Sequence, residues 1–167
     1  MSEQENSVIA RVARGVVAGL IAGAVASFAM DRFQAAVSPL LPSSGEDEEP
    51  ATQKAADALA RGATGHDVAA PDKPLAGQAI HYALGIGLGI AYGVAAEFRP
   101  AIAAGYGTAF GIGTATLLDE GAVPAVGLGS PPWKSNLPTA LYSYASHLVF
   151  GATTEIVRRQ VAATLSA

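Results

Sequence analysis

The sequence predicts an all-α fold: an integral membrane bundle of four transmembrane helices, with one amphipathic helix on the outer side. Three observations predict it. Half of the 167 residues are hydrophobic and only 14% are charged, against about 25% charged in soluble domains. Four stretches place a small or polar residue at every fourth position, the spacing that forms one ridge along a helix face. The residues between are mostly Ala, Val, Leu, Ile, Phe and Tyr, without period-two alternation, in runs too long for the roughly ten-residue strands of a membrane barrel.

The first expected span covers about residues 12–36 and carries the ridge Gly15, Gly19, Gly23, Ser27, Asp31. The second, about 75–98, carries Gly77, His81, Gly85, Gly89, Gly93, Glu97. The third, about 100–120, carries Ala103, Gly107, Gly111, Ala115, Asp119, and the fourth, about 136–159, carries Thr139, Ser143, His147, Gly151, Glu155. All 167 residues are read as a single transmembrane domain. A glycine inside a soluble helix costs roughly 0.5–1 kcal/mol relative to alanine. In a membrane bundle small residues instead let backbones approach. Gly15, Gly19, Gly23, Gly85, Gly89, Gly93, Gly107, Gly111 and Gly151 are therefore the expected packing positions. The first span also resembles a secretory leader, with Arg11 and Arg14 before an apolar run. Glu3 and Glu5 weigh against cleavage, and an uncleaved span is expected.

The polar segment 37–74 holds Pro39, Pro42, Pro50, Pro71 and Pro74 and the acidic run Glu46-Asp47-Glu48-Glu49. Acids before a first-turn proline suit a helix N-terminus, so a short surface helix is expected over Ala51–Arg61, ending at Gly62. A tight hairpin, Glu97–Pro100, joins the second and third spans. The Gly- and Pro-rich loop Gly121–Asn136 joins the third and fourth and carries Trp133, an expected interface anchor. Arg11, Arg14, Arg99, Arg158 and Arg159 collect on one side in short flanks. Short basic flanks set orientation, so both termini are expected in the cytoplasm.

Five ionisable residues, Asp31, His81, Asp119, Glu120 and His147, are placed by this topology in the outer half. Glu97 and Glu155 fall in the inner half beside arginines and read as local ion pairs. Three readings fit the outer group. The polar groups hydrogen-bond helices together; or they relay protons or cations; or imidazole and carboxylate hold a metal, or two histidines a haem. The 66 residues between His81 and His147 specify no metal motif, so no cofactor is assigned. The chain has no cysteine, which excludes disulfides and thiolate chemistry. It has no nucleophile elbow, phosphate-cradling loop or HExxH. Gly85-Ile86-Gly87 follows no strand, so it is no dinucleotide fingerprint. A net charge of −4 argues against nucleic acid as a partner.

Residues 75–160 resemble the YagU-like family of small bacterial inner-membrane proteins. The resemblance is carried by His81-Tyr82, Ala96-Glu97 with Pro100, Gly127-Leu128-Gly129-Ser130-Pro131-Pro132-Trp133, Ser146-His147-Leu148 and Glu155-Ile156-Val157-Arg158-Arg159. The family pattern has a histidine near the place of Asp119, where this chain has Leu118-Asp119-Glu120. The resemblance implies an integral membrane protein, in some members linked to acid tolerance, and no established reaction. The expectation is a non-enzymatic protein, its partners the lipid bilayer and either copies of itself or other membrane subunits. The alternative is a proton- or ion-conducting channel or transporter that uses the His/carboxylate group. A metal- or haem-binding protein is third.

Overall fold

The computed structural model describes residues 3–41, 49–134 and 136–166, and over them the chain is helical with no strand. Glu46, Asp47 and Glu48 of the acidic run, with Pro42, lie outside the described residues. The principal helices are α1 (Glu3–Val37), α2 (Ala51–Thr64), α3 (Lys73–Phe98), α4 (Thr108–Thr114) and α6 (Leu137–Thr164). A π-helical segment, Ala115–Ala122, and one further turn, α5 (Val123–Ala125), extend α4. The stretches Gln4–Leu40 and Ala70–Phe98 are long and apolar enough to cross a membrane.

The first two ridges meet each other, antiparallel. A Cβ on Gly15 would stand 2.7 Å from Val94 Cα, one on Gly19 2.8 Å from Ile90 Cα, and one on Gly23 2.9 Å from Ile86 Cα. From the other side, a Cβ on Gly89 would stand 2.7 Å from Gly23 Cα, and one on Gly93 2.9 Å from Gly19 Cα. The two backbones touch with no side chain between them, the arrangement that small residues make possible. The third and fourth ridges repeat this. A Cβ on Gly151 would stand 2.8 Å from Gly111 Cα, and one on Gly111 2.9 Å from the His147 carbonyl carbon. The two hairpins join through α1 and α6. There Phe33 stacks on Tyr142 with centroids 6.4 Å apart, and Ala26, Met30 and Phe150 form a buried cluster with Leu88 and Phe110 against it.

Several boundaries differ from the sequence reading. The third helix starts at Thr108, not near residue 100. Pro100–Ala103 forms a 3-10 turn, and Gly105, Tyr106 and Gly107 all take positive φ, with Gly107 at 79°. A left-handed residue cannot continue a right-handed helix. The chain therefore turns at Gly107, which still packs on Gly151. The same element runs on past 120, to Ala125, through the π segment. The surface helix passes through Gly62 to Thr64 and stops where Gly65 takes a left-handed C-cap, φ 80°. Finally, α1 extends back to Glu3 and α6 forward to Thr164. Asn136 starts α6 by accepting a 2.9 Å bond from the Thr139 amide.

The contact geometry separates two glycines that are only two residues apart in sequence. Gly87 has nothing within 4 Å of an added Cβ, whereas Gly89 meets backbone. Gly89→Ala is expected to destabilise the protein in detergent by about 1–3 kcal/mol, as overpacking does. Gly87→Ala is expected to leave stability unchanged or slightly raised. Unfolding midpoints of the two variants in the same micelles check this, and equal midpoints would remove the α1–α3 backbone contact.

Candidate functional site

The register of each hairpin brings the ends of its two ridges together. On α1 and α3, pairing Gly23 with Gly85 carries Ser27 and Asp31 up to His81. His81 Nε2 lies 3.2 Å from Asp31 Oδ1 and 3.5 Å from the Ser27 carbonyl oxygen. Gln78, one turn away, donates to Asp31 Oδ2 at 2.6 Å. On the other hairpin, pairing Gly111 with His147 carries Asp119 to Ser143, which donates to its Oδ2 at 2.8 Å. His147 Nδ1 lies 3.0 Å from the Ser143 carbonyl oxygen and 3.6 Å from Asp119 Oδ2.

Both neighbours of His147 Nδ1 are acceptors, which assigns the hydrogen of a neutral ring to Nδ1. By the same argument a neutral His81 carries its hydrogen on Nε2. Each imidazole is thus oriented by an aspartate and a backbone carbonyl. Among the described residues no three His, Asp or Glu side chains gather as a metal ion would require.

The two pairs face one cavity of about 550 Å³. Asp31 and Gln34 of α1, His81 of α3, Asp119 of the π segment and His147 of α6 lie on its wall. Phe150 is part of the floor. Pro50, Ala51, Thr52 and Gln53 of α2 close the top. Glu120 is half-buried and is not on this wall. A volume of this size falls within the range of small-molecule sites, about 300–1,000 Å³. The residue that bends the wall is the π segment itself, the kind of local widening often found at functional sites.

Below the floor the polar groups are closed off. Phe110 lies between Phe150 (centroids 5.9 Å) and Tyr92 (4.3 Å). Tyr92 donates to Glu155 at 2.9 Å. Glu155 is wholly buried and also accepts from Arg158 at 2.7 and 2.9 Å and from Arg159. Glu97 accepts from Arg14 at 3.0 Å, and Arg14 reaches Ser166 at 2.9 Å. Arg14 of α1, Glu97 of α3 and Ser166 just past α6 therefore meet at the basic end of the bundle. The ridges mark Glu155 as inward-facing, but nothing in the sequence signals Tyr92 as its partner. Gln78 and Ser143 were likewise reachable only through register.

The α2 roof is held by charge. Lys73 donates to Asp57 at 2.6 Å and to Glu49 at 2.7 Å, and Asp57 accepts from the Val68 amide at 3.0 Å. Gly77 gives α2 room, since a Cβ there would meet Gln53 at 2.7 Å.

The fold and the site together define an all-helical protein with two membrane-length helices and a polar cavity at one end. The chain belongs to the family described as "Protein of unknown function (DUF1440)", which matches residues 39–156. That match is consistent with the YagU-like resemblance of residues 75–160, and it takes in α2 and the roof as well. No curated protein and no solved structure matches the chain.

The roof should be acid-sensitive. The bond from Lys73, opposed by burial and aided by Val68, holds Asp57 below its ordinary value of 3.8. Lys73 is in turn raised, first by Asp57 and then by Glu49. A lowered carboxylate stabilises above its unfolded value and loses that stabilisation as pH falls through the folded one. Docking of α2 is therefore expected to hold at neutral pH and to fail below pH 3.8. Asp57→Asn should release α2 already at pH 7, seen as loss of amide protection confined to residues 51–64.

Proposed function

We propose that this is a non-enzymatic, multi-pass protein of the bacterial inner membrane that accepts protons in an outward-facing cavity. The observation that carries the reading is the placement of two Asp–His pairs, His81–Asp31 and His147–Asp119, on the wall of one cavity. Ionisable groups inside a membrane span are costly and are kept for ion pathways or proton relays. Simple helix-to-helix hydrogen bonding needs only one polar contact per interface. It leaves unexplained why both Asp–His pairs lie on the wall of the same cavity.

The bilayer placement rests on the outer surface. Val17, Leu20, Ile21, Val25 and Phe28 of α1 are exposed, as are Leu84 of α3 and Leu141 and Ile156 of α6. Helix α1 spans about 52 Å and α3 about 39 Å at 1.5 Å per residue. Both exceed a hydrocarbon core of about 30 Å. With α4 and its π extension and α6 as the other two spans, both termini share the basic end, and short arginine-rich flanks orient that end to the cytoplasm. Self-association is supported by Gly87 and Gly113, small residues with open space beside them, which would admit a helix of another subunit.

Proton uptake into liposomes tests the reading. Wild-type protein is expected to take up protons with a dependence on external pH. His147→Phe is expected to abolish uptake while the protein remains helical and monodisperse. If uptake by the variant instead tracks the amount of folded protein, His147 only joins helices and the reading is wrong.

A further inference from the structure

The cavity has a charge pattern that selects its occupant. Among the described residues its acidic wall groups are Asp31 and Asp119, and no lysine or arginine lines it. Much of the remaining wall is apolar, with Met30, Leu84, Leu118 and Phe150 among its members. The two carboxylates are not equivalent. Asp31 is engaged on both oxygens, by His81 on Oδ1 and Gln78 on Oδ2, with Tyr82 also hydrogen-bonded to it, and its side chain is 16% exposed. Asp119 meets Ser143 and His147 through Oδ2, its Oδ1 has no partner among the described residues, and it is 41% exposed.

We infer that the cavity binds a small organic ammonium ion with an apolar body, its N–H groups donating to Asp119 and its body lying against the apolar wall. This rests on the cavity's being a proton-accepting site. An anion is disfavoured by two carboxylates. A bare metal ion finds no three-donor group. A carboxylate attracts a cation, and a charge-assisted N–H···O bond is about twice as strong as a neutral one.

The same carboxylate serves the ammonium ion and the imidazolium of His147, so the two cations compete for it. Where the His147 ring is protonated, arrival of the ammonium sends that proton to water and leaves the neutral, Nδ1–H ring. One cation enters and one proton leaves. No other group interferes from the elements around the site. The α2 wall residues are uncharged, Lys73 is held by Asp57 and Glu49, Arg32 lies over the Phe28 ring at 5.4 Å, and His81 is engaged by Asp31. Glu120 is off the wall.

Calorimetric titration of the full chain in lipid nanodiscs tests this, with 4-phenylbutylammonium as probe and 4-phenylbutanol as its uncharged isostere. The ammonium is expected to bind and the alcohol to bind at least about tenfold more weakly, a margin of the size charge-assisted bonds provide. Affinity should rise about fivefold or more from pH 5.5 to pH 8, the scale of ordinary site coupling, with proton release visible as buffer-dependent heat. Asp119→Asn should remove the preference for the ammonium, Asp31→Asn should keep it, and His147→Gln should keep binding but flatten its pH dependence. Equal binding of probe and alcohol, or unchanged affinity in Asp119→Asn, overturns the ligand class. Histidine NMR of the same samples keeps the underlying reading separate. If His147 titrates differently in Asp119→Asn but the ammonium does not bind, the cavity is a base without this ligand. If neither histidine responds to its aspartate, the proton-accepting reading itself fails.

Discussion

Backbone contact between α1 and α3 is the constraint on which the rest of the molecule depends. Where Gly19 meets Gly89 and Gly23 meets Gly85, carbonyl groups and Cα atoms of the two helices are in direct contact. That fixes separation and register at once, because a slide of one residue would drive a branched side chain such as Val94 or Ile90 into the opposing backbone. The position of His81 against Asp31 follows from this register, His81 lying one turn beyond Gly85 and Asp31 two turns beyond Gly23. The α4–α6 hairpin uses the same device at Gly107, Gly111 and Gly151, and the His147–Asp119 pair follows from it. The site is thus a consequence of packing: each ridge begins as contact surface and ends as chemistry.

The ionisable groups obey a complementary rule. Burying a charge is costly unless it is paired and hydrogen-bonded. Glu155 is wholly enclosed, and Tyr92, Arg158 and Arg159 all donate to it. Glu97 is matched by Arg14. At the cavity end the carboxylates have no guanidinium partner: Asp31 is met by His81 and Gln78, and Asp119 by His147 and Ser143. Ser27 marks the boundary between packing and site. Its hydroxyl is buried against Gly85 and has no hydrogen-bond partner among the described residues, a cost accepted where the helices approach closely.

The ridges were legible in the sequence because a four-residue spacing reports one helix face directly. Their pairing was legible too, in part: an ionisable residue at the same end of two antiparallel ridges can only meet its counterpart. The rest lay outside any periodic signal. Gly105-Tyr106-Gly107 continues the small-residue spacing while breaking the helix, since glycine suits both a ridge and a left-handed turn. The π segment leaves no composition signature. The roof depends on Lys73 bridging residues 16 and 24 positions away, a long-range contact that no window along the chain can see. Glu120 illustrates the limit, since adjacency to Asp119 in sequence did not put it on the same wall.

Communication between the two polar ends has to pass the aromatic layer of Phe150, Phe110 and Tyr92. The α1–α3 hairpin cannot supply the necessary displacement, because its backbones are already in contact along three glycine pairs. The α4 side is differently built. It is entered through a glycine-flanked turn, it has only seven α-helical residues before the π segment, and Phe110 sits inside those seven. The π segment then carries Asp119 to His147. One Asp–His pair is therefore set by backbone contact between two long helices, and the other by a π extension and the short helix before it, which also holds Phe110, the middle ring of the layer between cavity and basic end.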